Sequence, residues 1–287
     1  MPEPGDEVKR EGRRGARRAD LGRVLDDVLG GTPAAAGPKA LTNSVGMAFV
    51  LVPAGKFQMG SPADERGHRA NEGPVHEVVI GNAFYIGVHP VTQAAYRAVT
   101  GTNPARFTAA DGGGPEHPVE SVSWDEAVAF CKRLGGRPEE RAAGRSYRLP
   151  TEGEWEYAAR AGGTAPFAFG DTFNATHGNF DSVYPYGEGE PAAGAGRTTP
   201  VTRYPASAWG LYDAHGNVWE WCADWYAEAY YATLPLRDPP GPAAGRARVL
   251  RGGSWKNQAP ACRAAYRNAL APHQRDAATG FRVVLVS

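Results

Sequence analysis

The sequence predicts an irregular α+β fold of short helices and strands with little regular secondary structure. Three observations predict it. Hydroxyl-capped amphipathic stretches succeed one another between residues 92 and 162, and helical periodicity then vanishes for more than a hundred residues. In addition, 37 glycines and 24 prolines among 287 residues interrupt any long element. With 42% hydrophobic residues the chain still has material for a substantial core.

Residues 1–40 stand apart. Lys9, Arg10, Arg13, Arg14, Arg17 and Arg18 crowd together with almost no aromatic partner, and such a stretch buries too little apolar surface to offset its ordering entropy. It reads as a disordered basic leader in which Leu21, Val24, Leu25, Val28 and Leu29 make a short amphipathic turn or two. Residues 31–39 are a linker by composition, and the expected domain spans 41–287.

Within that domain, residues 47–59 (MAFVLVPAGKFQM) predict two strands joined as a hairpin through Pro-Ala-Gly, and 75–85 supply the next strands. Thr92, Ser123 and Thr151 each open a helix, with Glu126 and Glu154 at capping-box spacing in the second and third. Gly101, Gly135 and Gly162 close the three. Beyond Gly163, short strand-like pieces such as 248–250 and 280–286 alternate with turn residues and aromatics. A half of this kind must be held by side chains or ions, so ligand or metal sites are expected there. Trp219, Trp221 and Trp225 read as core plates, and Gly252-Gly253 as a turn at a cleft floor.

Composition narrows the function classes. Lysine plus arginine (31) balances aspartate plus glutamate (31), which gives the domain no general attraction to nucleic acid. No segment approaches the roughly 20 apolar residues of a membrane span. No apolar signal region follows the acidic residues 1–6, and Cys131, Cys222 and Cys262 make no disulfide framework. A cytoplasmic monomer is expected. Cys131, on the apolar face of the Ser123 helix, reads as packing. No two of the seven histidines lie four residues apart, against a facial iron set, and no GxSxG surrounds Ser254.

Seven stretches in order carry a family resemblance: GMAFVLVPAGKFQMGS (46–61), FYIGVHPVTQAAYRAVTG (84–101), PVESVSWDEAVAFCKRL (118–134), YRLPTEGEWEYAARAG (147–162), GLYDAHGNVWEWCADWY (210–226), RVLRGGSW (248–255) and GFRVV (280–284). Together they resemble the sulfatase-modifying-factor family, the formylglycine-generating-enzyme type of C-type-lectin-like fold. The resemblance implies that fold, and a copper-assisted oxidation of a client-protein cysteine by two thiolates five residues apart. Cys262 falls on the second thiolate position and Asn257 on the first. An amide is no thiolate, and Cu(I) favours two sulfurs. Cu+ therefore belongs only to an oxidase alternative, with Cys262 and Ser254 as its catalytic candidates. Cys222, if near Cys262, would offer a disulfide or another soft-metal pair.

The resemblance also implies structural Ca2+. Asp213, Gly216, Val218 and Glu220 match the family's calcium loop, with Asp213 standing where an amide is usual. Ca2+ takes six to eight oxygens from carboxylates and backbone carbonyls. A second loop would begin at Asn179 and Phe180, with Glu188 or Glu190 supplying its carboxylate.

The leading expectation is a family member that binds a protein segment or polar ligand in a C-terminal cleft and lacks the two-cysteine copper site. The polar and aromatic segment 255–278 suits that use. Its expected contacts are Trp255, Asn257, Gln258, Tyr266, Arg267 and Asn268, with Trp219 beside them. The alternatives are a formylglycine-generating oxidase acting on a sulfatase-like client, and a retroelement-diversified ligand-binding protein, whose hypervariable segment 255–278 resembles.

Overall fold

A computed structural model of the chain describes Met1 and residues 40–286. The chain divides into two units, Met1–Gly37 and Pro38–Ser287. The expected basic leader beyond Met1 and the whole of the linker lie outside the described residues. The second unit begins with β1 (Ala40–Thr42), β2 (Ala48–Val52), β3 (Gly55–Met59), β4 (His76–Ile80) and β5 (Phe84–Gly87). Helices α1 (Gln93–Thr100), α2 (Trp124–Gly135) and α3 (Pro138–Ala142) follow, then β6 (Ser146–Arg148) and α4 (Glu152–Arg160). The turn-rich half adds β7 (Trp219–Trp225), β8 (Arg248–Arg251), β9 (Asn268–Leu270), β10 (Thr279–Gly280) and β11 (Val284–Val286).

The caps behave as their sequence predicts. Thr92, Ser123 and Thr151 accept the backbone N–H three residues on, and Glu126 and Glu154 complete capping boxes. Gly101 closes α1 in the left-handed region at φ 81°, whereas α4 ends on Ala161, one residue before the expected Gly162. The expected 47–59 hairpin is corrected. Its two strands exist but do not pair: β2 lies between β1 and β5, while β3 pairs with β4. Phe49, Val50 and Val52 are all buried, so β2 is covered on both faces and takes a central place in a sheet. Strand β1 and the short α3 carried no sequence signal strong enough to be expected.

One sheet runs β1-β2-β5-β11-β6 and a second β10-β7-β8-β9. The main core fills the space they share with α1 and α2, where Phe49, Phe130, Trp221 and Phe281 are fully buried, and Tyr96 stacks on Phe130 at 5.4 Å. Cys131 is buried in this core. Trp219 and Trp221 are the expected plates, while Trp225 is half-buried with its ring 3.5 Å from the Arg248 guanidinium. No described helix is long and apolar enough to cross a membrane.

The loop-rich half is held by buried ion pairs. Arg160, Arg251, Arg263, Arg267 and Arg282 are all buried. Glu152 and Glu156, one turn apart on α4, receive Arg267 and Arg251 respectively, and Arg160 returns to Glu156 at 2.8 Å. Arg263 bonds both oxygens of Glu72 at 2.8 Å, and Arg282 bonds both oxygens of Glu220 at 2.5 and 2.6 Å. Arg263, Arg267 and Arg282 each meet their partner as a fork, the geometry in which burying both charges is tolerable.

Candidate functional site

The chain leaves β8 through Gly252 (φ 95°) and Gly253 (φ 73°), a conformation L side chains rarely adopt. There is also no room for a side chain. A Cβ on Gly253 would lie 2.4 Å from the Cys262 sulfur, and one on Gly252 would lie 3.0 Å from the Trp155 ring. This double turn folds residues 254–262 back on themselves. Ser254 Oγ donates to Asn257 Oδ1 at 2.5 Å, the Asn257 N–H donates to the Ser254 carbonyl, and the Asn257 carbonyl accepts the Asp181 N–H at 2.8 Å. Asn257, expected as a ligand contact, thus also fastens the turn.

Cys262 ends a 3-10 turn, Ala259–Cys262, with its side chain buried. Burial pushes its thiol up to about 12, so the thiol form dominates at neutral pH. The Cys262 carbonyl receives a hydrogen bond from His215 Nδ1 at 2.8 Å, while His215 Nε2 accepts the Ala168 N–H at 3.0 Å. That pair of partners places the imidazole proton on Nδ1. Phe167, Phe169 and Phe173 surround the ring, and burial lowers its pKa to about 4. His215 was missed in the sequence because nothing in its spacing marks it.

The residues do not fit a two-thiolate copper site. Asn257 offers an amide oxygen already bonded to Ser254, and all three cysteines are free thiols. Cys222 packs with Trp155, Ala214 and Val249, whereas Cys262 packs with Phe167, Phe173 and Phe180, so the two belong to different clusters.

The calcium residues divide. Asp213 is buried at φ 54°, accepts one hydrogen bond from Asn217 at 2.9 Å, and has no cationic side chain within 4.0 Å among the described residues. Burial pushes its carboxyl up to about 7, against the pull of Arg282. One uncompensated carboxylate fits an oxygen-seeking cation, with the carbonyls of Gly216 and Val218 nearby in sequence. Glu220 differs: Arg282 takes both of its oxygens and Trp155 Nε1 donates to one at 2.7 Å. At the second loop, Asn179 Oδ1 is buried without a partner, which also fits a cation. The backbone facing Phe180 is Gly194, however, and Glu188 and Glu190 are exposed elsewhere on the loop. Among the described residues, no three His, Cys, Asp or Glu side chains gather as a metal set.

Segment 255–278 is pinned from inside by two of its arginines. Arg263 reaches Glu72 and Glu65, and Arg267 reaches Glu152 at 2.6 Å and the Asn71 carbonyl at 2.9 Å. Arg267 is therefore corrected from ligand contact to interior anchor, its guanidinium 4.1 Å from the Tyr231 ring. Tyr266, between them, stays half-buried 5.9 Å from Trp219. Trp219 is almost wholly buried, so it presents little surface. Trp255 meets Phe107 edge-on at 5.4 Å and donates to the Ala277 carbonyl, Gln258 is exposed, and Asn268 is half-buried on β9.

Two further residues, which no sequence motif marks, border this segment. Val183 and Tyr184 are 48% and 53% exposed, and the Tyr184 carbonyl accepts the Ala259 N–H. A hollow of about 710 Å³ between Leu51, Phe84, Arg148, Glu154, Asp238 and Leu285 shares no residue with segment 254–278.

A frame of three sheets of five, four and two strands, capped helices and a long pinned loop half defines a formylglycine-generating-enzyme-like, C-type-lectin-like domain. The chain belongs to the family described as sulfatase-modifying factor enzyme 1-like, whose model matches residues 35–286. It is 34% identical to the formylglycine-generating enzyme of Streptomyces coelicolor over 88% of this chain and 94% of that protein. It is also 32% identical to the serine/threonine-protein kinase pkn1 of Chlamydia caviae, over 82% of this chain but only 37% of the kinase. Among solved structures it is similar to PvdO from Pseudomonas aeruginosa, with a TM-score of 0.73, 29% identity, and coverage of 88% of this chain and 99% of that one. Treponema denticola variable protein 1 superposes with a TM-score of 0.70 at 30% identity, over 88% and 99% of the two chains.

Proposed function

We propose that this family member binds a peptide segment of a partner protein at the surface formed by residues 255–278, and does not oxidise a cysteine. One observation carries the reading. The position that needs a thiolate holds Asn257, whose side-chain oxygen is engaged by Ser254 at 2.5 Å. The remaining thiol, Cys262, is buried and held protonated, so it is a poor copper ligand and a poor nucleophile. What faces outward supports recognition: Trp255 and Tyr266 offer rigid aromatic area, Gln258 and Asn268 offer hydrogen bonds, and Val183 and Tyr184 offer apolar surface. Rigid aromatic groups beside adaptable polar ones suit an extended peptide at low entropic cost. Ca2+, in the same proposal, is held through Asp213 and backbone carbonyls as a structural ion.

A second reading, oxidation of a client cysteine, draws on the 34% identity to the Streptomyces enzyme across nearly its whole length. Incubating the protein with copper and a Cys-x-Pro-x-Arg peptide separates the two. Mass spectrometry is expected to find the cysteine unchanged. Conversion to an aldehyde that is lost in Cys262→Ala defeats the binding-only proposal. A fluorescent peptide array on the same protein is expected to yield binders that Trp255→Ala weakens.

A further inference from the structure

The residues that bound the proposed site include one cation that the motifs leave unexplained. Segment 61–71, a charged loop by sequence, lies directly on the site. A Cβ on Gly67 would lie 3.0 Å from Pro260 and 3.5 Å from Arg263 Nε. Two exposed cations of segment 255–278 already have counter-charges, and Arg66, without an ion pair, sits among carboxylates. Lys256 bonds Asp276 at 2.8 Å, and Arg275 bonds Glu126 at 2.6 Å. Arg66 stacks 5.1 Å from the Tyr186 ring but shares a hollow with Asp64, Glu65 and Asp171.

Arg69 is different. Its guanidinium carbon lies 4.8 Å over the Tyr266 ring, the side chain is exposed, and no carboxylate approaches within 4.0 Å among the described residues. Tyr266 is itself fixed. Its carbonyl accepts Arg251 Nη1 at 2.5 Å, and its ring leans on Trp219. The guanidinium thus rests over a ring that is itself held in place, on an exposed side chain, which lowers the entropy lost when it meets an acceptor. Planar, five-donor guanidinium matches carboxylate oxygens in pairs.

Resting on the peptide-binding reading above, we infer that Arg69 sets the specificity of the site by receiving a glutamate or aspartate side chain of the bound peptide. One unpaired guanidinium over Tyr266 suits a singly charged carboxylate. A doubly charged phosphate there would need a second free cation at the same ring, and Arg263, 5.9 Å from it, is already paired with Glu72.

The test uses the full chain and three blocked peptides of equal length, rich in glutamate, glutamine or lysine and otherwise identical. Binding is followed by fluorescence anisotropy and by the ¹H–¹⁵N signal of the Trp255 indole. The glutamate peptide is expected to bind about fivefold more tightly than the glutamine peptide at low salt, the size of one well-placed exposed charge pair. The preference is expected to vanish at high salt, to vanish in Arg69→Gln, and to reverse toward the lysine peptide in Arg69→Glu. Because Arg69 is exposed, these variants are expected to melt with the wild type. Equal binding of all three peptides, with the Trp255 indole still shifting, overturns the role of Arg69 and leaves the binding site standing. Failure of every peptide to shift that indole overturns the binding site and the role of Arg69 together.

Discussion

Asp224, near the end of β7, is a buried carboxyl whose charge the fold does not want. Its Oδ2 accepts the backbone N–H of Glu152 at 2.8 Å, and burial, then the neighbouring charge of Glu152, pushes it up from 3.8 to about 7. Asp224→Asn keeps an oxygen for the Glu152 N–H and removes the charge. The folded pKa lies above the unfolded one, so the folded state holds a proton that the unfolded chain has released. The carboxyl's contribution to stability is therefore complete below pH 3.8 and is lost as the pH rises to about 7. Each pH unit in that window costs about 1.4 kcal/mol, or about 4 kcal/mol across it. Arg248 is attracted by Asp224 and loses that attraction in the variant, which brings the expected net gain above neutral pH to about 2–4 kcal/mol.

Urea unfolding of both proteins, at about pH 5, 6, 7 and 8, reads the effect directly. The advantage of Asp224→Asn is expected to grow by about one proton's worth per pH unit and to level off above about pH 7. A wild type more stable than the variant at about pH 8, or a difference independent of pH, refutes the assignment of burial as the dominant cause.

Four other outcomes follow from the same geometry. EGTA is expected to lower the melting temperature of the wild type by several degrees and to leave Asp213→Ala unmoved, as differential scanning fluorimetry would register; no shift in the wild type removes the calcium proposal. Glu72→Gln, which leaves the buried Arg263 without its fork partner, is expected to cost about 3–5 kcal/mol in chemical unfolding. Gly253→Ala, which meets the Cys262 sulfur at 2.4 Å in a left-handed backbone, is expected to destabilise by about 2 kcal/mol or more and to expose the Cys262 thiol to a thiol reagent. His215 is buried neutral with its pKa lowered from 6.5 to about 4, so its stability contribution is present above pH 6.5 and is lost as the pH falls toward 4. Acid unfolding of His215→Gln is accordingly expected to be shallower across that window.

What the sequence disclosed of the fold was local, and what it withheld was nonlocal. A cap is decided by four neighbouring residues, so Thr92, Ser123 and Thr151 could be read directly, as could the Gly252-Gly253 turn. Strand partnership is decided by residues far along the chain, which is why 47–59 looked like a hairpin although β2 and β3 turn to different partners. The buried pairs were out of reach for the same reason: Arg263 meets Glu72 across 191 positions and Arg267 meets Glu152 across 115. Arg267 looked like a surface recognition group because composition does not say which side of a loop faces inward. Val183 and Tyr184 were hidden within a glycine-rich stretch, and Arg69 within a run of charges that looks solvated throughout.

The same pairs explain how a family frame can persist when one residue of the family's chemistry is absent. Segment 255–278 is anchored through Arg263 to Glu72 and Glu65 and through Arg267 to Glu152, and its approach is shaped by Gly252 and Gly253. None of these anchors is Asn257 or Cys262. At position 257 the fold requires only a side chain that satisfies Ser254 Oγ, and an amide oxygen does so at 2.5 Å. Copper chemistry would require sulfur at that point, but the packing of the loop does not. The frame therefore holds the shape of this segment through anchors other than the side chain at position 257.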